Sequence, residues 1–568
     1  MELDLGIAAY SGFGSYFTIV RGRKEDGTNG VFLRTMHGDA DPRNVFEIVV
    51  LKEGNPAAFR EKATHATVTL EAEGGGKVEL CIDEPNVVRV RATGAGVRLD
   101  RRKPNDRGYN ADYPFEVVRG RIQVNAFRSR KQYMISVFAG DYRIEAPWEQ
   151  VTCPLIQLDF FPDENGNTAE IALDAFDTSW TERAYERPFE ACVEAADAAF
   201  RRWLAATPPG DAGDPAAREL AAYAQYACVV EPHGMLERRT MLISPGFNGV
   251  WSWDHAFNAM ALAYMQPAMA WDQLLVPFDR QDETGAIPDY YNDRSIVWNY
   301  TKPPVHGWAL ARMLERTNGI TADMLATFYP KLVRWTDWWF ERRDYDGNGF
   351  PQYNHGNDSG WDNAMVFKEP GPVEGPDLAA FLVVQMDALA LVAHRIGKPD
   401  EAAAWRRRAD DLFARLMDYF WDGDMFVAKR SGTGETIKTD SLLHWIPVIL
   451  GGRLPPDVIR KAAEALRPDG PFVTAWGPAT EKPSSAYYEA DGYWRGPVWA
   501  PSTLILIDGL YAAGEREIAR EIARRFCRLC AEGGMSENFD ALTGAGLRDR
   551  FHSWPASVFL IVAQEYVS

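Results

Sequence analysis

Residues 188–204 read PFEACVEAADAAFRRWL, and this stretch divides the chain into two parts with different sequence periods. Its apolar residues recur at the three- and four-residue spacing of an amphipathic helix, and Pro208, Pro209 and Gly210 end that pattern. Strand-like alternation precedes the stretch and helical spacing follows it. The sequence therefore predicts a β-rich first part and a helical second part.

Residues 1–180 alternate between apolar and polar side chains at period two, most clearly at 45–50, 66–70, 87–91 and 134–138. Turn residues such as the glycine triplet at 74–76 separate these runs. Many short strands joined by turns predict an antiparallel β-sandwich domain. We find no catalytic constellation within it.

From about residue 188 to residue 568 the pattern is helical. Helices are predicted at 189–204, 216–230, 255–265, 305–317, 322–342, 378–396, 401–420, 456–466, 501–513, 515–530 and 553–564. No strand-like alternation separates them, which excludes a TIM barrel, because that fold needs a strand before each helix. The pattern favours helical hairpins arranged in a ring, with long Gly- and aromatic-rich loops at one end.

Composition limits the partners. The chain has 568 residues, 46% hydrophobic and 25% charged, which is typical of a soluble multidomain protein. Its formal net charge of -19 argues against nucleic acid and anionic membranes. Its 19 Trp residues favour a carbohydrate partner, because aromatic faces stack on sugar rings, although large helical cores also use Trp.

The cysteines and the N-terminus predict a reduced, cytoplasmic protein. Six cysteines show no paired framework, and Cys527 and Cys530 form a C-x-x-C inside an amphipathic helical run, where a structural role is favoured over metal or redox chemistry. The N-terminus has no basic region followed by a long apolar run, and no membrane-spanning stretch is expected. The sequence leaves the oligomeric state open.

Residues 357–367, NDSGWDNAMVF, form the first loop with catalytic potential. Gly360 allows a tight bend, and Asp362 follows Trp361. An Asp in apolar surroundings has a raised pKa, as a general acid requires. The alternative is an Asx-turn cluster that caps a neighbouring helix.

Two further loops carry aromatic and polar residues together. In residues 246–257, GFNGVWSWDHAF, Asp254 is either a helix N-cap or part of a sugar-binding floor with Trp251 and Trp253. In residues 492–499, GYWRGPVW, Arg495 lies between two Trp residues, a pattern suited to a hydroxylated ligand or to holding a carboxylate.

Residues 344–349, DYDGNG, resemble the first half of a calcium loop. Asp344, Asp346 and Asn348 offer oxygen atoms at positions 1, 3 and 5, but position 12 is His355, so another carboxylate would be needed. The alternative is a plain Asx-turn.

These loops together resemble glycoside hydrolase family 63, which includes processing α-glucosidase I and bacterial homologues, and more distantly the family 37 trehalases. The resemblance rests on six motifs in the family's order, WSWDHAF, KPPVHGW, DYDGNGFPQY, NDSGWDNAMVF, GYWRGPVW and SENFDALTG, which span about residues 246–544. It implies an (α/α)6 barrel behind an N-terminal β-domain, no organic cofactor, and an exo-acting, inverting hydrolysis of α-glucosidic bonds.

The resemblance also implies residue roles. Asp362 is the general acid and Glu537 the general base. A structural calcium ion on Asp344, Asp346 and Asn348 would be completed by Glu374. The subsite for the terminal sugar would be lined by Trp253, Asp254, Trp361, Trp494 and Arg495.

Asp358 is interpreted as a sugar-hydroxyl ligand or as a partner that keeps Asp362 protonated. Asp362 beside Trp361 is expected to stay protonated, and Glu537, on a more polar loop, to stay ionised.

Three alternatives remain. A glycoside phosphorylase on a related barrel would use phosphate in place of water, and a non-catalytic sugar-binding protein would need neither carboxylate. A hydrolase of glucosyl- or mannosylglycerate would need a basic residue in the outer subsite, for which Lys302, Arg294 and Lys368 are the candidates.

Overall fold

The computed structural model describes residues 1–24, 27–39, 44–102, 110–164, 166–211 and 213–567. Its N-terminal part consists of two antiparallel sheets whose strands bury alternate side chains against a shared apolar core. The prediction of short antiparallel strands in this part is confirmed. Both sheets end before the first helix begins at Phe189.

The strands of each sheet are given in spatial order. The first sheet contains Glu2–Leu3, Phe59–Thr64, Val68–Ala72, Lys77–Glu84, Val87–Thr93, Thr168–Phe176, Lys131–Ala139, Arg121–Ala126 and Tyr113–Val118. The second contains Asp141–Glu145, Leu155–Phe161, Gly96–Arg102, Asn44–Lys52, Asn29–Thr35, Phe17–Arg23 and Tyr10–Ser11, and Asn55–Pro56 pairs with Asn44–Lys52.

The rest of the described chain is mainly helical. Its α-helices are Phe189–Ala206, Pro215–Ala227, Ser252–Leu262, Pro267–Asp279, His306–Arg316, Ala322–Arg342, Pro376–Arg395, Pro399–Phe420, Pro456–Leu466, Ala500–Ala512, Arg516–Gly533 and Ser553–Glu565. The 3-10 segments are Gly356–Ser359, Met365–Phe367 and Leu442–Arg453.

The eleven predicted helices occur within a few residues of their predicted bounds, and two segments were missed. Helix Pro267–Asp279 contains Pro277, which interrupts the local helical signal. Leu442–Arg453 contains Pro447, two glycines and a kink at Gly451, so its sequence has no helical periodicity to find.

Six segments form a closed ring by packing each against the next. They are Ser252–Leu262, His306–Arg316, Pro376–Arg395, Leu442–Arg453, Ala500–Ala512 and Ser553–Glu565. Most of these segments are buried on nearly every face, whereas outer helices such as Pro399–Phe420 and Arg516–Gly533 bury one face only. A helix covered on all sides lies inside, and an amphipathic one lies outside.

One helix of this ring is long and apolar enough to cross a membrane by length and composition. In Pro376–Arg395, however, 83% of the apolar window is buried inside the protein. Burial of this kind is expected of a core helix in a large helical domain, so the helix is weak evidence for a membrane span.

The long loops contain short strands that the sequence did not predict. One three-stranded sheet joins Val250–Trp251, Tyr290–Tyr291 and Ile296–Val297, and another joins Val498–Trp499, Asn538–Phe539 and Gly546–Leu547. Each of these six strands has two residues, too few to show a period, yet they join loops that are remote in sequence.

Candidate active site

The loops that precede the segments of the inner ring meet around a cavity of about 220 Å³. The lining residues are Ile243, Phe247, Trp251, Trp253, Asp254, Lys302, Asn357, Gly360, Asp362, Tyr493, Trp494, Trp499, Glu537, His552 and Trp554. Three carboxyl groups and several large aromatic side chains thus face a space suited to one sugar ring.

Asp362 reaches the cavity from the loop that precedes helix Pro376–Arg395. The loop turns at Gly360, which has a φ of +75° and on which an added Cβ would lie 2.4 Å from the indole of Trp253. Glycine is required there because of both the left-handed backbone and the close approach. The predicted bend is confirmed, and burial raises the pKa of Asp362.

Residues 357–367, which carry Asp362, are called the acid loop. Hydrogen bonds join this loop to the GYWRGPVW loop at residues 492–499. The side chain of Asn363 donates to the carbonyl of Gly492 (3.0 Å) and accepts from the backbone N–H of Trp494 (3.0 Å). These two bonds fix the position of the acid loop relative to the aromatic side of the cavity.

Glu537 reaches the cavity from a loop near the C-terminal end of the sequence, directly before strand Asn538–Phe539. That strand pairs with Val498–Trp499, so local backbone hydrogen bonding sets the position of Glu537 relative to the GYWRGPVW loop. The Tyr493 hydroxyl donates to Oε1 of Glu537 at 3.1 Å. Tyr493 itself has a φ of +64°, a strained conformation that places its ring in the cavity.

The environment of Glu537 differs from the predicted one. The sequence suggested a polar loop and an ionised carboxylate, but the side chain is only 8% exposed. Burial raises the pKa of Glu537 to about 7, while the Tyr493 hydrogen bond and the charge of Arg548 act in the opposite direction. The predicted polar surroundings are therefore wrong, because enclosure of the loop depends on the tertiary structure, whereas the ionised state of Glu537 stays a prediction.

Trp253, Trp494, Trp499 and Trp554 form an aromatic cluster around the cavity. The rings of Trp494 and Trp499 stack with centroids 4.0 Å apart, and those of Trp253 and Trp554 meet edge to face at 4.8 Å. Such a cluster provides a rigid apolar surface against which a sugar ring can stack.

Asp254 lies among these rings in the first turn of helix Ser252–Leu262. The N-cap position of that helix is Trp251, so the N-cap interpretation of Asp254 is wrong. Its carboxyl group is buried and lines the cavity, and burial raises its pKa well above the usual range.

Lys302 supplies positive charge to the site. Its ammonium group lies 2.8 Å from Asp289 Oδ1 and donates to the carbonyl oxygen of Asn357 at 2.8 Å. The charge of Lys302 lowers the pKa values of Asp254 and Asp362, against the raising effect of burial. Lys302 was named from the sequence only as a candidate for an anionic substrate, and the structure places it inside the cavity.

Asp358, Trp361 and Arg495 lie outside the lining. Asp358, the second residue of the acid loop, accepts from the backbone N–H of Thr301 (3.0 Å) and from Arg343 (2.9 Å), which gives it a structural role in holding that loop. Trp361 is 2% exposed and packs on Trp494. Arg495 is turned toward Glu489 at 2.7 Å. Their placement does not support the predicted direct contact with substrate.

Several lining residues were missed or not assigned a role from the sequence. Tyr493 and Trp499 belong to the GYWRGPVW motif, and the density of aromatic residues in that motif could have marked both as lining residues. His552 and Trp554 stand at the start of the last helix, and Asn357 begins the acid loop. Nothing in their local sequence distinguishes them from ordinary helix-terminal or turn residues.

The predicted calcium residues are gathered beside the acid loop. Asn348 donates to Asp346 Oδ2 (3.2 Å) and to Glu374 Oε1 (3.0 Å), although Glu374 is 26 residues away. The charge of Asp346 adds to burial in raising the pKa values of Asp344 and Glu374. Among the described residues, the buried Oδ1 of Asp344 has no hydrogen-bond partner. This donor set fits a hard cation.

A cavity lined by three carboxyl groups and a cluster of Trp rings suits glycoside hydrolysis, and comparison with known proteins agrees: the protein is a glycoside hydrolase. Residues 248–555 match the model of the mannosylglycerate hydrolase MGH1-like glycoside hydrolase domain. The chain belongs to that family, within glycoside hydrolase family 63, which confirms the resemblance seen in the sequence motifs.

Two relatives illustrate the match. A mannosylglycerate hydrolase of Rubrobacter radiotolerans is 26% identical over 410 residues, covering 56% of this chain and 90% of the relative. A glucosylglycerate hydrolase of Mycolicibacterium hassiacum is 25% identical over 442 residues, covering 60% of this chain and 97% of the relative.

Two solved structures with similar folds cover different shares of this chain. A family 63 mannosylglycerate hydrolase of Thermus thermophilus in complex with glucose has a TM-score of 0.52 at 20% identity, and covers 60% of this chain and 98% of its own. A bacterial glucoamylase complexed with acarbose has a TM-score of 0.61 at 13% identity and covers 99% of this chain and 93% of its own. The second likeness therefore extends to the N-terminal sheets.

Proposed function

We propose that this protein is an exo-acting, inverting α-glycoside hydrolase that releases one sugar from a small glycoside, with glucosylglycerate or mannosylglycerate as the substrate class. The observation that carries the proposal is that Asp362 and Glu537, 175 positions apart, line one cavity of monosaccharide size. The substrate class is supported by the family match and by the two relatives that hydrolyse glycerate glycosides by name.

In this proposal Asp362 donates a proton to the glycosidic oxygen. Burial raises its pKa and favours the protonated form that a general acid needs. Glu537 removes a proton from a water molecule, which attacks the anomeric carbon from the opposite face. The C–O bond to the aglycone breaks as the bond to water forms, so the anomeric configuration inverts.

Asp254 and the Trp cluster would hold the terminal sugar. Asp254 is buried in the cavity wall and offers two oxygen atoms to sugar hydroxyls, and the Trp rings offer apolar faces. A pocket lined in this way admits one ring, which supports exo action.

Of the three basic residues considered for an anionic aglycone, Lys302 lines the cavity. Arg294 donates to the carbonyl oxygens of Ser129 (2.6 Å) and Arg130 (3.1 Å), and Lys368 lies 2.9 Å from the Tyr487 hydroxyl on the surface. Of these three basic residues, Lys302 is therefore the best placed to attract a substrate that carries a carboxylate.

We also propose that the closed ring of six segments and the helices outside it form an (α/α)6 barrel spanning residues 188–568, behind a β-sandwich domain of residues 1–180. A calcium ion held by Asp344, Asp346, Asn348 and Glu374 would add a structural crosslink beside the acid loop.

The test is a substrate panel followed by proton nuclear magnetic resonance. Glucosylglycerate, mannosylglycerate and α-linked glucobioses are each incubated with the enzyme, with and without phosphate. We expect phosphate-independent release from a glycerate glycoside, with the β-anomer of the sugar appearing first. An initial α-anomer would overturn inversion, and phosphate-dependent formation of a sugar phosphate would establish the phosphorylase alternative. Glu537→Gln is the control for contaminating activity.

A further inference from the structure

The N-terminal β-region touches the helical part close to the candidate active site. The contact is made by Met36, His37, Gly38 and Asp39, which follow strand Asn29–Thr35. We call these four residues the clamp. Their partners lie in and beside the hairpin formed by Tyr290–Tyr291 and Ile296–Val297.

We propose that Asp39 of the β-region is a positioning residue for the active site, acting through Tyr290 on the aromatic wall at Trp251. This inference rests on the proposed function, and it assigns to the β-region a share in binding substrate. The family model begins only at residue 248, so nothing in the family match accounts for the clamp.

The carboxylate of Asp39 connects the two ends of the hairpin turn. It accepts hydrogen bonds from the hydroxyl groups of Tyr290 and Ser295 and from the side-chain amide of Asn292, the last at 2.7 Å. Hydrogen bonds to an ionised acceptor are the stronger kind. With three donors on one carboxylate, the turn is held at both ends from outside the helical part.

The other clamp residues hold the middle of the same turn. Asp293 accepts from the backbone N–H of Gly38 at 2.7 Å and lies 2.8 Å from Nδ1 of His37. Both partners of the His37–Asp293 pair are almost completely buried. The backbone carbonyl of Met36 accepts from Asn248 at 2.6 Å, which anchors the loop that leads to Trp251.

The hairpin and the residue before it contact two residues that line the cavity, Trp251 and Lys302. Tyr290 pairs with Trp251 through the backbone, and their rings lie 4.3 Å apart, so Tyr290 supports a lining residue. One residue before the strand, Asp289 forms the buried ion pair with Lys302 inside the cavity. A shift of the hairpin would therefore move both the aromatic wall and the charged group.

Close packing leaves little freedom at this wall. A Cβ added to Gly249 would lie 2.0 Å from the Tyr290 ring, and one added to Gly38 would lie 2.8 Å from Arg294. Since displacements of about 1 Å cost up to about 100-fold in rate, a hairpin held less tightly would be detectable in kinetics.

The experiment compares two carboxylate removals at contacts between the β-region and the helical part. Asp39→Ala removes the clamp contact. Asp197→Ala is the matched control, because Asp197 on helix Phe189–Ala206 bonds His65 of the β-region at 2.7 Å and does not line the cavity. Values of kcat and KM are measured on the glycoside that the wild type hydrolyses best, with the melting temperature as a second measurement.

We expect Asp39→Ala to lower kcat/KM by about 10- to 100-fold, mostly through KM, while Asp197→Ala stays within about twofold of the wild type. Tyr290→Phe keeps the ring on Trp251 but loses the hydroxyl, and should give part of the same effect. The double variant Asp39→Ala/Tyr290→Phe should lose less than the two single losses combined, because Tyr290→Phe removes one of the hydrogen bonds that Asp39→Ala already removes, besides the bond that the Tyr290 hydroxyl accepts from Asn292 at 2.6 Å.

Wild-type kcat/KM in Asp39→Ala, or an equal loss in Asp197→Ala, would overturn the positioning role and leave the proposed function standing. Full additivity of Asp39→Ala and Tyr290→Phe would also overturn it. A wild type that hydrolyses none of the α-glycosides would instead overturn the proposed function, and this inference with it.

Discussion

Two of the three carboxyl groups in the cavity, those of Asp362 and Glu537, lie in different surroundings. Asp362 stands near a buried ion pair, Lys302 with Asp289, whose charges act on it in opposite directions. The carboxyl group of Glu537 accepts from a neutral partner, the hydroxyl of Tyr493 at 3.1 Å, and the charges of Asp549 and Arg548 act on it in opposite directions. Burial is the largest influence on both carboxyl groups; after burial, the charges of an ion pair act on Asp362, whereas hydrogen bonds as well as nearby charges act on Glu537.

This difference matters because Asp362 is partly buried and Glu537 is buried, and desolvation by itself raises both pKa values. General acid and general base need opposite protonation states at the same pH. The Lys302–Asp289 pair limits the net positive charge near Asp362, while the Tyr493 hydrogen bond favours the ionised form of Glu537.

The largest effect is expected from removing either carboxyl group. Asp362→Asn and Glu537→Gln should each fold normally and lose about 100- to 10,000-fold in kcat, because each removes one proton-transfer group. Steady-state kinetics on the preferred glycoside measure this loss, and circular dichroism checks the fold. A variant that retained near-wild-type turnover would remove that residue from its role.

On the acid side, Lys302→Met should destabilise the protein by about 3–5 kcal/mol, because it leaves the buried Asp289 carboxylate without its partner. Denaturant unfolding measures the change. The matched variant Lys302→Met/Asp289→Leu replaces both charges by apolar groups and should recover much of the lost stability. Equal stability of the single variant and the wild type would show that the ion pair contributes little.

On the base side, Tyr493→Phe should shift the acidic limb of the pH–rate profile upward by about one pH unit, the size expected for losing one hydrogen bond to a charged group. Glu537 acts when deprotonated, so activity falls as the pH decreases through its pKa of about 7. Loss of the hydroxyl removes a bond that favours the ionised form, and the pKa of Glu537 rises further.

Tyr488→Phe is the control for this shift. Tyr488 lies five residues earlier in the same loop, and its buried hydroxyl has no hydrogen-bond partner among the described residues. Its profile should match that of the wild type. If Tyr493→Phe also left the limb unmoved, another group would control the ionisation of Glu537.

The smallest effect is expected from the calcium residues. Asp344 follows Arg343, which binds Asp358 of the acid loop, so an ion there would support that loop from a distance. Chelation should lower the melting temperature by a few degrees before it lowers activity, since an ion that binds only the folded state stabilises by mass action. Elemental analysis that finds no calcium, with melting unchanged by chelator, would contradict this.

Much of the architecture was predictable because it depends on local periodicity. The helix at residues 322–342 was predicted with its observed bounds, since a Thr N-cap and a long amphipathic run mark it in the sequence. The segment Leu442–Arg453 was not, although it occupies one place in the inner ring. It is apolar on all sides and holds Pro447, so its conformation follows from its buried position.

The sequence by itself determined the change from strands to helices near Phe189, the loops that carry Asp362 and Glu537, and the family, since each is written in neighbouring residues. The tertiary structure alone decided which side chains share the cavity. Tyr493 and the clamp at Asp39 derive their roles from partners 44 and 251 positions away. Burial and charge at such contacts depend on the whole fold, which is why Glu537 is enclosed and Arg495 faces Glu489.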